Sequence, residues 1–175
     1  MDIQMKEWKE FSLTDLFTVD YGNKFDGNKM TQETSERVAF VTRTAKNNGV
    51  SMFVDMLDGV EPYPAGCLTV ALGGSIGCTF VQTKPFYTGQ NVSVLNPLVE
   101  MNAEQKLFIS TIIQNEAQTK YTAFGRELNK YIKRSFTIKL PVTESGDPDW
   151  DMMTSYIRNL PNIKNIWNFI HNNTL

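Results

Sequence analysis

A single histidine, two cysteines and no long apolar run set the first limits on this 175-residue chain. With His171 alone near the end and only Cys67 and Cys78 as thiols, the ligand set of a zinc site cannot be assembled. No apolar stretch approaches the roughly 18–20 residues needed to span a bilayer. Residues 1–10 are charged and amphipathic, so no secretory signal is visible, and a cytoplasmic protein with free thiols and no membrane contact is expected. A hairpin folded around Ser75 would set Cys67 opposite about Lys84 rather than Cys78, which argues against a disulfide. Asn91-Val92-Ser93 matches a glycosylation sequon, an accidental match in a chain without a secretion signal.

Catalytic signatures are missing too. The glycine-rich stretch 73–77 lacks G-x-G-x-x-G spacing, and no G-x-x-x-x-G-K-[ST] occurs. The one Asn-Pro, Asn96-Pro97, runs into Leu98 rather than the Pro-aromatic pair that a methyltransferase uses to hold an exocyclic amine. Asp147-Pro148-Asp149 is half of a nuclease metal site, but no acid-x-Lys element follows, and a helix cap explains these acids. The residues therefore point to a non-enzyme with no metal and no cofactor of its own.

What the chain does have is segregated charge. The net charge is −2, which by itself argues against a nucleic-acid partner. Yet six basic residues (Lys120, Arg126, Lys130, Lys133, Arg134, Lys139) face a single acid, Glu127, within 120–139. Three more (Arg37, Arg43, Lys46) occur in 37–46 with no acid among them. Such separation carries more information than the total.

The organising stretch is 63–97, which holds no acid and one basic residue, Lys84. Its apolar, β-prone runs at 68–72, 78–82 and 91–95 are set apart by the glycine turn 73–77 and by the segments Lys84-Pro85 and 87–90. Gly74, Ser75 and Gly77 are read as a structural turn. Further strands are expected at 17–21, 37–42, 51–57 and 136–140. Helices are expected at 103–119, with Asn102 as N-cap and Gln105 at N3, and at 126–134. Another should start at Asp147-Pro148 and break at Pro161. Together these give an α+β fold: a β-rich, twisted or barrel-like sheet core with a few peripheral helices and amphipathic helices at the C-terminal end. Residues 1–147 form one domain in this reading, and 148–175 a short helical segment for dimer or partner contact.

On a helix over 126–134, Arg126, Lys130, Lys133 and Arg134 share one face and Leu128, Tyr131 and Ile132 the other. Such a face next to loops rich in amides and hydroxyls suits a nucleic acid, because Lys and Arg neutralise phosphates while Arg, Lys, Asn and Gln reach base edges. Arg43, Lys46, Asn47 and Asn48 have that repertoire, as do Asn23, Lys24, Tyr87, Thr88 and Gln90. A basic face that merely solvates a helix is the plainer alternative.

The order of the segments resembles the target recognition domain of type I restriction–modification specificity (S) subunits and of BcgI-like S subunits. The matching pieces are W-K-E-F-S-L-T-D-L-F-T-V-D-Y-G at 8–22, V-A-F-V-T-R-T-A-K-N-N-G-V at 38–50 and P-A-G-C-L-T-V-A-L-G-G-S-I-G at 64–77. They continue with F-Y-T-G-Q-N at 86–91, F-G-R-E-L-N-K-Y-I-K-R-S-F-T-I-K-L-P at 124–141 and P-D-W-D-M-M-T-S-Y-I at 148–157. The resemblance implies a non-catalytic module that reads a few base pairs of double-stranded DNA. It would position a DNA adenine methyltransferase subunit, which carries S-adenosylmethionine, and a restriction subunit. By position it turns the loops at 22–29, 43–48 and 87–90 and the segment 120–133 toward DNA. That adds Lys29, Thr44, Lys120 and Tyr121 to the expected DNA contacts. The family's S subunits hold two such domains and this chain one, so a homodimer is expected, with Trp150, Ile157, Ile163, Trp167 and Ile170 as its interface, unless that stripe packs on its own domain. A docking module that binds a methyltransferase or nuclease without reading DNA is the alternative function.

Overall fold

The computed structural model describes residues 6–122, 125–161 and 163. The chain opens with β1 (Trp8–Ser12), one helical turn α1 (Leu13–Leu16) and β2 (Phe17–Asp20). Strands β3 (Arg37–Val41), β4 (Val50–Asp55), β5 (Leu68–Ala71), β6 (Thr79–Val81), β7 (Phe86–Thr88) and β8 (Val92–Pro97) follow. The rest is α2 (Ala103–Lys120), α3 (Leu128–Tyr131), β9 (Thr137–Pro141) and α4 (Trp150–Arg158). Among the described residues no helix is long and apolar enough to cross a membrane.

The strands divide among three sheets, β1-β9, β2-β8-β5-β6 and β4-β3-β7. In the four-stranded sheet β5 and the first four residues of β8 are buried throughout, whereas β2 alternates Phe17 and Val19 inward with Thr18 and Asp20 outward. Period-2 patterning marks a strand with one wet face, and a continuous apolar run marks one covered on both. The β5-β6 hairpin forms around the glycine turn, pairing Val70 with Thr79. Cys67 is met by Gln82, whose N–H donates to the Cys67 carbonyl at 2.9 Å, two residues short of the expected Lys84. Both thiols are free and buried, and burial pushes both pKa values up.

Two strands escaped sequence reading. β1 pairs with β9 in register Phe11 to Ile138, tying the start of the chain to its last strand. β7 lies parallel to β3 with Phe40 opposite Tyr87. Three residues are too few to show a period, and Pro85 and Gly89 punctuate the segment as a loop would.

Helix α2 has the expected capping box: the Asn102 side chain accepts from Gln105 N–H at 2.9 Å and the Gln105 side chain accepts from Asn102 N–H at 2.9 Å. Ile109 and Ile113 reach the main core beside Leu68 and Leu95. Helix α4 starts two residues later than expected, because Asp149 and not Asp147 caps it by accepting from Met152 N–H at 3.0 Å. Pro148 is instead bridged to Val142, and the Ser145 hydroxyl donates to Asp147. α4 packs on α2 through buried Met153 and Ile157 and through Arg158, whose Nε lies 2.6 Å from a carboxylate oxygen of Glu104.

That packing corrects the interface expectation. Ile157 is buried, and Trp150 and Ile163 lie half-buried against the chain's own core, so these three serve the domain that carries them. Trp167 and Ile170 lie outside the described residues.

Candidate nucleic-acid interface

The basic segment is held from below. α3 has four residues, far too few to persist alone, but Leu128 and Ile132 are fully buried in the main core. Burying two such side chains contributes about 1.5–3 kcal/mol each. The helix is shorter than the 126–134 expected because the chain turns tightly after it: the Tyr131 carbonyl accepts from the N–H groups of Arg134, Ser135 and Phe136. The division of faces holds nonetheless, with Arg126, Lys130, Lys133 and Arg134 exposed.

Above this segment opens a cleft of about 490 Å³ lined by Tyr21, Lys24, Leu72, Gln90, Asn91, Asn129, Lys130 and Arg134. Its walls come from the segment after β2, from Leu72 at the end of β5, from the β7-β8 connection and from the α3 segment, four parts of the chain distant in sequence. Lys24 and Asn91 both hold left-handed backbone, with φ of 63° and 58°, a conformation that costs a non-glycine residue and persists only where its surroundings impose it. Among the described residues no acid lines the cleft. Asp20, next to Tyr21 in sequence, accepts from Gly22 N–H at 2.7 Å and from the Tyr63 hydroxyl at 2.9 Å. Burial, and then that bond, push the Tyr63 pKa up to about 12.

Aromatic rings rather than carboxylates hold several of the cations. The Lys24 and Lys133 ammonium nitrogens lie 5.5 and 5.9 Å from the Tyr21 ring centroid. The Arg126 guanidinium lies 4.9 Å from the Tyr121 ring and 5.6 Å from that of Tyr131. Among the described residues Lys24, Arg43, Arg126, Lys133 and Arg134 have no carboxylate partner within 4 Å, and Lys130 approaches Glu127 only at 3.7 Å. Arg43 lies against the glycine turn, where its carbonyl accepts from Ser75 N–H at 3.3 Å, and an added Cβ at Gly73 would lie 3.7 Å from its guanidinium and 3.8 Å from the Asn91 side-chain amide. At Gly74, with φ of 65°, an added Cβ would meet that carbonyl oxygen at 3.1 Å, so this turn needs a glycine.

The 43–48 loop faces a second cleft of about 400 Å³, lined by Asn47, Asn48, Met52, Phe53, Gln82 and Lys84 among others. Asn47 and Lys46 are exposed, and Thr44 is half-buried with its hydroxyl accepting from Lys46 N–H. Asn48 is committed elsewhere: its amide donates to the Val81 carbonyl at 2.8 Å, and its own carbonyl accepts from Gln82 at 3.0 Å. Gln90 is exposed at the first cleft, and Lys29 is exposed at the end of a short helical turn.

Several expected DNA contacts are corrected. Tyr87 is fully buried, its hydroxyl donating to the Val60 carbonyl and accepting from Leu57 N–H. Thr88 is fully buried and bonded to Asn23, which spends its side-chain carbonyl on Thr88 N–H. Tyr121 is buried beneath Arg126. Lys120 lies 2.5 Å from a Glu116 carboxylate oxygen and is already paired. Conversely, Tyr21, Asn91 and Asn129 line the cleft without having been singled out as contacts, beside Arg134 of the expected basic face. The Gln-Asn step after a glycine hinted at Asn91, but no local signal marked Tyr21. Among the described residues no group of three His, Cys, Asp or Glu could hold a metal ion.

Residues 5–171 match the family model described as type I restriction modification DNA specificity domain. The chain is similar to the type II restriction enzyme specificity subunit S.BcgI of Heyndrickxia coagulans, with 33% identity over 153 residues, 86% of this chain and 43% of that subunit. In fold it is similar to the type I restriction–modification S subunit of M. genitalium, at TM-score 0.62 and 15% identity over 90% of this chain and 40% of that one. It is likewise similar to the HsdS subunit of Thermoanaerobacter tengcongensis, at TM-score 0.60 and 13% identity over 100% of this chain and 41% of that one. The chain thus spans about two fifths of the length of these relatives.

Proposed function

The chain belongs to the type I restriction modification DNA specificity domain family, and from that membership we propose that its basic cleft seats duplex DNA while a partner adenine methyltransferase subunit does the chemistry. The observation that carries this reading is the cluster of Lys24, Lys130 and Arg134 around a cleft with no acid among the described residues that line it. Among the described residues Lys24 and Arg134 have no carboxylate partner and can neutralise phosphates without first breaking an ion pair, Lys130 gives up only its 3.7 Å contact with Glu127, and that electrostatic grip supplies sequence-independent affinity. Gln90 and Asn91 at the same cleft, and Asn47 on the neighbouring loop, carry the amides that distinguish base edges.

In this reading the chain is itself non-catalytic. S-adenosylmethionine is bound by the methyltransferase, and a restriction subunit joins the same assembly. Residues 1–147 read DNA with α4 packed against them, and contact with a partner or a second copy falls to the rest of 148–175. A homodimer would bring two such domains to a symmetric site. A docking module that never touches DNA has no separate observation in its favour, since an uncompensated cationic cleft has no use in it.

The test is co-purification of the chain with the adjacent methyltransferase, followed by mapping of methylated adenines. A defined methylated sequence that disappears without the chain supports the reading. Methylation that is indifferent to the chain, or a partner retained at high salt with no DNA held at low salt, rejects it.

A further inference from the structure

The ring of Tyr21, in the lining of the cleft, is approached by two lysines from separate segments of the chain. Lys24 follows β2 and Lys133 follows α3, and their ammonium nitrogens lie 5.5 and 5.9 Å from the same ring centroid. The Tyr21 hydroxyl donates to the main-chain carbonyl of Asn129 at 3.1 Å, which fastens this ring to α3. Nothing in the proposed contact set used Tyr21, and its place on the end of an alternating strand had suggested no role beyond packing.

We infer that Tyr21 is the positioning residue of the cleft: it holds Lys24 and Lys133 at a set separation, ready to straddle one stretch of DNA backbone. The inference rests on the DNA-binding reading above and deepens it. A carboxylate in the same place would order the two lysines but cancel their charge. The quadrupole of an aromatic ring attracts a cation while leaving its full charge facing outward. Long lysine side chains lose rotamer freedom when they engage a phosphate, and the ring has already taken part of that loss. The left-handed backbone at Lys24, φ 63°, points the same way, since such strain persists where the surroundings impose one direction on a side chain. A phosphate arriving at Lys24 and Lys133 would thus meet two oriented ammonium groups above a ring anchored to α3.

Two substitutions separate this role from plain packing. Tyr21→Phe keeps the ring and both cation contacts and loses only the bond to Asn129. Tyr21→Leu keeps apolar bulk and loses the ring. Titrations of the purified full chain with non-specific duplex DNA at low and rising salt read both affinity and salt slope. Tyr21→Leu is expected to weaken binding about fivefold, the scale of two exposed cation–π contacts, with the salt slope of the parent because no charge is lost. Tyr21→Phe should stay within about twofold of the parent. Lys24→Ala and Lys133→Ala should each lower the slope by about one unit, and each should cost less affinity in the Tyr21→Leu background than in the parent. Strict additivity overturns the inference, as does a Tyr21→Leu variant that matches the parent, and as does Tyr21→Phe falling as far as Tyr21→Leu. A parent that holds no duplex even at low salt removes the DNA-binding reading and the inference together, whereas a binding parent with indifferent Tyr21 variants removes the inference alone.

Discussion

Asn23 and Thr88 hold each other by two reciprocal hydrogen bonds. The Thr88 hydroxyl accepts from Asn23 N–H at 2.8 Å, and the Asn23 side-chain carbonyl accepts from Thr88 N–H at 3.0 Å. Residue types that suggested base contacts are here spent on fastening the loop after β2 to the end of β7. Gly22 completes the join: at φ of 69°, an added Cβ would lie 2.3 Å from the Thr88 hydroxyl oxygen. Thr88→Val keeps the shape and removes the acceptor, leaving a backbone N–H unpaired. Denaturant unfolding should show a loss of about 1–3 kcal/mol, with the salt slope of DNA binding in the folded variant unchanged. Weakened duplex binding with intact stability would return Thr88 to the DNA surface.

The turn at Gly77 approaches α2 so closely that a methyl group has no place. Its φ is 77°, and a Cβ there would fall 2.6 Å from that of Ala117. Gly77→Ala is expected to lower stability by about 1–3 kcal/mol through overpacking alone, with added strain from the left-handed backbone. Adding Ala117→Gly should recover part of the loss by removing the clash, and only part, since the backbone strain stays. Thermal unfolding of the parent, both single variants and the double variant checks this. Full recovery would show that the clash was the whole cost.

Two lysine and arginine substitutions of equal formal charge should differ in effect. Arg134 lines the cleft and has no carboxylate partner within 4 Å among the described residues, whereas Lys120 lies 2.5 Å from Glu116. Arg134→Ala should reduce the salt slope of duplex binding by about one unit. Lys120→Ala should leave the slope where it was. Equal slopes for the two variants would detach the cleft from DNA.

In the proposed function, base reading falls to the loop side chains. Asn47 is exposed with φ of 49°, so Asn47→Gly removes its amide without straining the backbone. The map of methylated adenines should then tolerate other bases at one position of the recognised sequence, at a cost of about 1–3 kcal/mol in discrimination there. An unaltered map would clear Asn47 of that role.

Asp55 makes stability depend on pH at the acid end. Burial alone would raise its carboxyl pKa, but hydrogen bonds from the Glu33 and Thr34 N–H groups and the Thr31 and Thr34 hydroxyls outweigh it and hold the value well below the ordinary carboxylate range. A folded-state pKa lower than the unfolded one means that the unfolded chain binds the proton first as pH falls. The contribution of Asp55 is therefore complete above the ordinary carboxyl value of 3.8 and is lost as pH drops below it. Unfolding measured from pH 6 to pH 2 should show the parent declining more steeply than Asp55→Asn at the acid end. Parallel curves would contradict the assignment. The carboxylate pins the backbone of residues 33–34 to the end of β4.

The sequence by itself determined those elements whose signal is local. The Asn102 and Gln105 capping box, the alternation through β2, the β5-β6 hairpin and the two faces of the 126–134 segment are all read within a window shorter than one helix or hairpin. The order of its motifs also determined the family, because order along a chain needs no coordinates. What tertiary structure decided is which polar residues remain available. Thr88 and Tyr87 have the chemistry of a DNA contact, but β3 beside them turned a three-residue run into a buried strand. Tyr21, Gln90 and Arg134 are 113 positions apart at their extremes and meet only because β8 pairs with β2 while Leu128 and Ile132 sink α3 into the same core. Local patterns record the periodicity of a chain's own backbone. Which side chains are left facing the solvent depends on contacts between segments distant in sequence, and no single window contains those contacts.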